Sequence, residues 1–234
     1  MSNDYLDLLA QFGIGGAHPG GLPLTKKLFQ ELELPDVKDM LEVGCGTGQT
    51  AVYLHEKFGW NVTGIDRHPV MVEKANSRLQ DPSAPVQFLE SDAENLDFSD
   101  ECFDFILSES VLAFTDITKS LVELSRVLKD DGYLLAIEMT ADRALSEEAF
   151  DEISKLYGVA KVLHEDGWED YFKKAGFSTV EVYYTPTGLE ETAVSDLNPS
   201  KQLDEKIFDL WDQHTAWILQ DDRPISYRVY LCQK

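Results

Sequence analysis

The chain has 234 residues, 43% of them hydrophobic, which suits one α/β domain with a substantial core. Lys and Arg total 20 against 43 Asp and Glu, and the formal net charge of −23 argues against nucleic acid and membrane surfaces as partners. Cys45, Cys102 and Cys232 show no C-x-x-C spacing, no basic-then-apolar leader opens the chain, and no apolar run has bilayer length, so a reducing cytoplasmic location is expected.

Tyr5, Leu8, Leu9 and Phe12 follow the spacing of a short amphipathic helix, which ends in the glycine-rich stretch 13–21. Leu24 to Leu32 reads as a second helix, and Pro35 breaks the chain. Strands and helices then alternate. Strands are predicted over Met40–Val43, Asn61–Asp66, Val86–Glu90, Phe103–Ser108 and Tyr133–Met139. Helices are predicted over Thr47–Phe58, Pro69–Leu79 and Thr118–Leu128, the last closed by Asp131-Gly132. Ser146–Tyr157 and Trp168–Ala175 read as further helices, and Val180–Tyr184 and Tyr227–Cys232 as the last strands. Such alternation predicts a mostly parallel sheet with helices on both faces.

The segment Leu41-Glu42-Val43-Gly44-Cys45-Gly46-Thr47-Gly48 joins the first strand to the first helix of that series. Gly44 and Gly46 fit the dinucleotide fingerprint G-x-G-x-x-G, but Gln49 stands where its third glycine belongs. No Lys-Ser or Lys-Thr follows, so a P-loop is excluded. Asp66 ends the second strand, where a carboxylate can accept both hydroxyls of a ribose. An acidic segment, Ser91-Asp92-Ala93-Glu94, follows the third strand, and Ser108-Glu109-Ser110 closes the fourth.

These four segments, in this order, resemble the class I S-adenosylmethionine-dependent methyltransferases, small-molecule branch, with the quinone-biosynthesis enzymes the nearest in flavour. The resemblance covers roughly residues 35 to 185 and the last strand. It implies a Rossmann-like doubly wound α/β fold: a seven-stranded, mostly parallel sheet of order 3-2-1-4-5-7-6, strand 7 antiparallel, with helical lid segments. It implies S-adenosylmethionine as methyl donor, S-adenosylhomocysteine as product and no metal; His55, His68 and His164 show no ligand spacing. The cofactor-binding residues it implies are Glu42, Gly44, Cys45, Gly46, Gly48, Asp66, Arg67, Asp92, Ala93, Ser108 and Glu109, with Asp92 and Ala93 at the adenine.

The chain departs from the family pattern at its two unusual segments. It reads as one domain, 1–234, with an N-terminal lid over 1–34 and a helical insertion over 186–224. Within the insertion, Leu203, Ile207, Leu210, Trp211, His214, Trp217 and Ile218 share one helical face. Phe208, Trp211 and Trp217 are expected to form a lid over a small-molecule acceptor, although packing on the body of the domain explains an apolar face equally well. If the acceptor needs deprotonation, His18, His214 and Glu109 are the candidate bases. Two alternatives stay open at the level of sequence: a nicotinamide-dependent oxidoreductase and a non-catalytic S-adenosylmethionine-binding regulator.

Overall fold

The computed structural model describes residues 3–34, 36–186, 196–220 and 222–234. Among these residues, seven strands form one sheet: β1 (Asp39–Val43), β2 (Asn61–Asp66), β3 (Val86–Glu90), β4 (Phe103–Glu109), β5 (Leu128–Ala141), β6 (Thr179–Tyr184) and β7 (Ile225–Gln233). The order is β3-β2-β1-β4-β5-β7-β6, and β7 runs antiparallel to both β5 and β6. This is the expected arrangement.

Strand alternation sends side chains to two separate cores. Leu41, Val43, Ile106, Leu134 and Ala136 face one side, where helices α5 (Ile117–Val127), α6 (Glu147–Tyr157) and α7 (Glu165–Lys174) cover them. Met40, Phe105, Leu107, Leu135 and Ile137 face the other, beneath α2 (Gly21–Glu31), α3 (Gln49–Phe58) and α4 (Pro69–Arg78). Every one of these ten side chains is buried. Each large one contributes roughly 1.5–3 kcal/mol, so the sheet is held from both faces.

Two elements differ from expectation. β5 begins at Leu128, because Leu128 pairs with Phe103 across an irregularity before Phe105 meets Tyr133. The expected Asp131-Gly132 turn is thereby absorbed as a bulge. Helix α7 starts at Glu165, three residues before the apolar pattern, with Glu165 and Asp166 in its first turn, where the helix dipole favours them.

A third layer crosses the carboxyl edge of the parallel strands. Helices α1 (Asp4–Phe12) and α8 (Lys206–Ile218) pack on each other through Leu8 and Ile207, with Ile14 just after α1 in the same cluster. The chain after α1 runs beside residues 196–200: Ile14 bridges Leu197, and Asn198 donates to Gly13 O at 3.0 Å. Lys74, almost wholly buried, reaches from α4 to donate to Ala10 O at 2.7 Å, Gln11 O at 3.2 Å and Asn198 O. Arg78, also on α4, donates to Thr47 O at 2.7 Å and pairs with Asp196. The N-terminal segment, the stretch after β6 and the glycine turn are therefore tied together by two cations of one helix.

Candidate active site

A cavity of about 590 Å³ runs along the carboxyl edge, from the end of β3 past β2 and β1 to β4. Doubly wound sheets bind ligands at this edge. The floor is the turn after β1. Gly44 takes φ +66°, a left-handed conformation, and a Cβ there would collide with Val111. Gly46 takes φ +52°, and a Cβ there would meet open space. The turn is pinned to β2 by Cys45 N donating to Ile65 O at 2.9 Å and by Gly46 N donating to Asp66 Oδ2 at 3.0 Å.

Asp66 also accepts from His68 N at 2.8 Å through Oδ1. Each oxygen keeps a second lone pair for a ligand hydroxyl. Burial raises the Asp66 pKa against the pull of those two amides. Glu42 is only 3% exposed, and its Oε2 has no hydrogen-bond partner among the described residues. Burial, and then the neighbouring Glu109 and Asp66 charges, hold its carboxyl well above the usual range. An orphaned buried carboxyl oxygen in a cavity wall calls for a donor or a cation from a ligand. At the β3 end, Asp92 accepts from Glu94 N at 2.9 Å, which fixes a tight turn that puts Asp92 and Ala93 on the cavity.

At the β4 end, four polar side chains from four segments converge. Glu109 accepts from Thr25 of α2 at 2.5 Å and from Thr50 of α3 at 3.0 Å. His18 Nε2 stands 3.3 Å from Glu109 Oε1 and 3.3 Å from Thr25 Oγ1, and His18 Nδ1 is 3.1 Å from Pro19 O. Gly20 and Gly21, at φ +77° and +50°, turn the chain so that His18 and Thr25 meet on one carboxylate. The strand after this end is braced from below by Glu138 of β5. Its carboxylate is fully buried and accepts from Val111 N, Leu112 N, Ala113 N and Ser108 Oγ at 3.0–3.3 Å. Burial pushes its pKa up to about 7.

The roof comes from α1 and the segment after it: Asn3, Leu6, Asp7, Leu9, Ile14, Gly16, Ala17 and His18 line the cavity. Asp7 lies 3.3 Å from His68 Nε2, which links the roof to the loop after β2.

The structure thus brings Glu42, Gly44, Cys45, Gly46, Asp66, Arg67, Asp92, Ala93, Glu109 and His18 to one cavity. It places others elsewhere. Gly48 starts α3 and packs on Phe88, while Ser108 is turned to Glu138. Phe208 and Trp211 pack on Phe12, and Trp217 packs on Tyr157. His214 sits 3.1 Å from Tyr157 Oη, with its pKa lowered by burial. None of these four residues of α8 lines the cavity: Phe208, Trp211 and His214 pack on α1, and Trp217 packs on Tyr157 of α6. Thr25, Thr50, Asp7 and His68 were not legible as site residues, since no spacing in the chain links them.

Comparison with known proteins decides the family. Residues 41–136 match the family described as Methyltransferase domain. The chain is 35% identical over 231 residues to an uncharacterized methyltransferase, YodH, of Bacillus subtilis, covering 98% of this chain and 99% of that one. The chain belongs to the class I S-adenosylmethionine-dependent methyltransferases. It is 30% identical over 171 residues to phosphoethanolamine N-methyltransferase 1 of Arabidopsis thaliana, 72% of this chain and 34% of that one. A structure of Haemonchus contortus phosphoethanolamine N-methyltransferase 2, in complex with phosphomonomethylethanolamine and S-adenosylhomocysteine, superposes with a TM-score of 0.75 at 19% identity. That match covers 99% of this chain, which spans 57% of the Haemonchus protein.

The cofactor of this methyltransferase is S-adenosylmethionine, and the nicotinamide alternative falls with that. The cavity fits the cofactor on its own terms, through the orphaned Glu42 oxygen and the open face of Gly46. Among the described residues, no group of three His, Cys, Asp or Glu side chains is placed to hold a metal ion, and no helix is long and apolar enough to cross a membrane.

Proposed function

We propose that this methyltransferase moves a methyl group to a small-molecule acceptor held at the β4 end of the cavity, with the His18–Glu109 pair as proton acceptor. The observation that carries the reading is the 3.3 Å approach of His18 Nε2 to Glu109 Oε1 at one end of the cofactor strip. Along that strip, Asp92 and Ala93 take the adenine, Asp66 and Arg67 the ribose, and Glu42 and the glycine turn the methionine part. This order follows the strand order β3-β2-β1-β4.

When bound, the cofactor supplies a methyl carbon already activated by a sulfonium leaving group. The residues of this chain supply alignment, dryness and a proton sink. Alignment of the two reacting atoms is worth about 7–11 kcal/mol. The α1 roof excludes water, and α8 stiffens it from behind. The His18–Glu109 pair takes the proton released as the acceptor oxygen or nitrogen forms its bond to the methyl carbon, with His18 Nδ1 beside Pro19 O. The bound cofactor would supply the methyl carbon and keep the carbon–sulfur electron pair as a neutral thioether. Glu109 stabilises the imidazolium so formed. His214, paired with Tyr157 behind α1, is not part of this proposal.

Residues 3–34 and 196–220 act in this reading as a single lid, joined by Lys74 and by the Ile14–Leu197 bridge. The reading is tested by incubating the protein with methyl-labelled S-adenosylmethionine and a metabolite library, and following label into product. Label in small molecules that is lost in His18→Ala supports it. Label in protein or nucleic acid alone contradicts it.

A further inference from the structure

The cavity has two unlike halves. The strip along the strand ends is polar: the glycine turn, Asp66, Arg67 and Asp92. The half above it is apolar, built by Leu6, Leu9, Ile14 and Ala17 from the roof, with Val111 and Phe114 from the turn after β4. Phe114 is braced by the ring of Tyr5, stacked at 6.2 Å. The titratable groups at the β4 end of this half are His18 and Glu109, with the hydroxyls of Thr50, Ser110 and Thr115 also on the cavity.

The charge lining the cavity has one dominant sign. Asp7, Asp66, Asp92 and Glu109 line it, together with the Glu42 carboxyl that burial drives toward its neutral form. Arg67 is the one Lys or Arg among its described lining residues, and it follows Asp66 at the β2 end, away from His18. Lys74 and Arg78 approach the roof but are engaged, Lys74 by three carbonyls and Arg78 by Thr47 and Asp196. The sequence of 187–195 contains Glu190 and Glu191 and no Lys or Arg. Among the described residues, an anion in the apolar half would therefore face carboxylates with no Lys or Arg beside it.

We propose that the acceptor is a small, largely apolar molecule bearing one hydroxyl or amino nucleophile and no phosphate or carboxylate, seated between Leu6, Leu9, Ile14, Phe114 and the His18–Glu109 pair. The assignment rests on the function proposed above and narrows it. It sets this chain apart from its relatives named for phosphoethanolamine. An apolar body fills the half under the roof, and its one heteroatom meets His18. A protonated amine is welcome on approach, since the surrounding carboxylates attract it before His18 and Glu109 accept its proton.

The test uses the full chain saturated with S-adenosylhomocysteine. Binding of phenol, benzyl alcohol and phenethylamine is measured by calorimetry against that of phenyl phosphate, benzoate and phosphoethanolamine. We expect at least one member of the first set to bind about tenfold or more tighter than every member of the second. In Leu6→Lys, which brings an ammonium into the apolar half, phenyl phosphate should gain about tenfold. Equal or tighter binding of the anionic set by the wild-type protein overturns the assignment. So does binding of neither set while S-adenosylhomocysteine still binds. Failure of S-adenosylhomocysteine itself to bind is a different result, and it overturns the proposed function along with the assignment.

Discussion

Asp66 accepts the Gly46 amide at 3.0 Å, so the carboxylate at the end of β2 and the open glycine of the β1 turn form one unit. A single side chain both shapes the floor of the cavity and offers oxygens to a ligand.

Asp66→Ala therefore loses two functions together. S-adenosylhomocysteine affinity should fall by about 1–3 kcal/mol, the usual cost of hydrogen bonds to a charged group, as read by titration calorimetry. Asp66→Asn keeps one acceptor oxygen and should lose less. Unchanged affinity in the alanine variant counts against the ribose assignment.

Gly44 and Gly46 share a left-handed backbone but differ in what surrounds them. A Cβ on either costs about 1–2 kcal/mol in backbone strain. On Gly44 it also meets Val111. Gly44→Ala should melt several degrees below Gly46→Ala in thermal unfolding, since 1 kcal/mol corresponds to about 2–4 °C at this size. Equal melting temperatures would show that Val111 yields.

Glu138 couples pH to the brace under residues 111–113. Its native pKa is about 7 against the ordinary 4.5, so between those values the native state holds a proton that the unfolded chain has released. Its contribution to stability is full below pH 4.5 and lost as pH rises through 7. Glu138→Gln removes this titration. Between pH 5 and 8 the wild type should lose about 2–3 kcal/mol relative to the variant, a shift in the melting-temperature difference on the order of 5–10 °C. A pH-independent difference contradicts the titration.

Lys74 holds two carbonyls of α1 and one of the stretch after β6 with one buried ammonium. Lys74→Met leaves those oxygens without their donor and should loosen residues 4–17 by about 1–3 kcal/mol. Hydrogen exchange of the α1 amides should speed up accordingly, with the strand amides of β1 and β4 unaffected. Equal protection in variant and wild type would remove Lys74 from the closure of the roof.

The fold was legible because its signals are local. Alternating strands and helices, Gly44 and Gly46 after an apolar strand, and Asp66 at the next strand end are all spacings along the chain. The β4 end of the site was legible only in part. His18 and Glu109 stood out as chemistry-bearing residues, but Thr25 and Thr50 are ordinary helical threonines until two helices bring them to one carboxylate. The α8 aromatics misled for a physical reason. A helical stripe shows that a face is covered, not what covers it. Here α1 supplies Phe12 to Phe208 and Trp211 and Tyr5 to His214, while Tyr157 of α6 takes Trp217, and none of them lines the cavity. Gly48 kept the family spacing while facing Phe88, because the same turn must also start a helix.

The most direct measurement of the central claim is a crystal structure of the protein with S-adenosylhomocysteine. The account predicts the adenine at Asp92 and Ala93, the ribose on Asp66, the amino group near Glu42, and the sulfur as the cofactor atom directed toward His18 and Glu109. A cofactor lying in the opposite direction, or outside the cavity beneath α1, would contradict it.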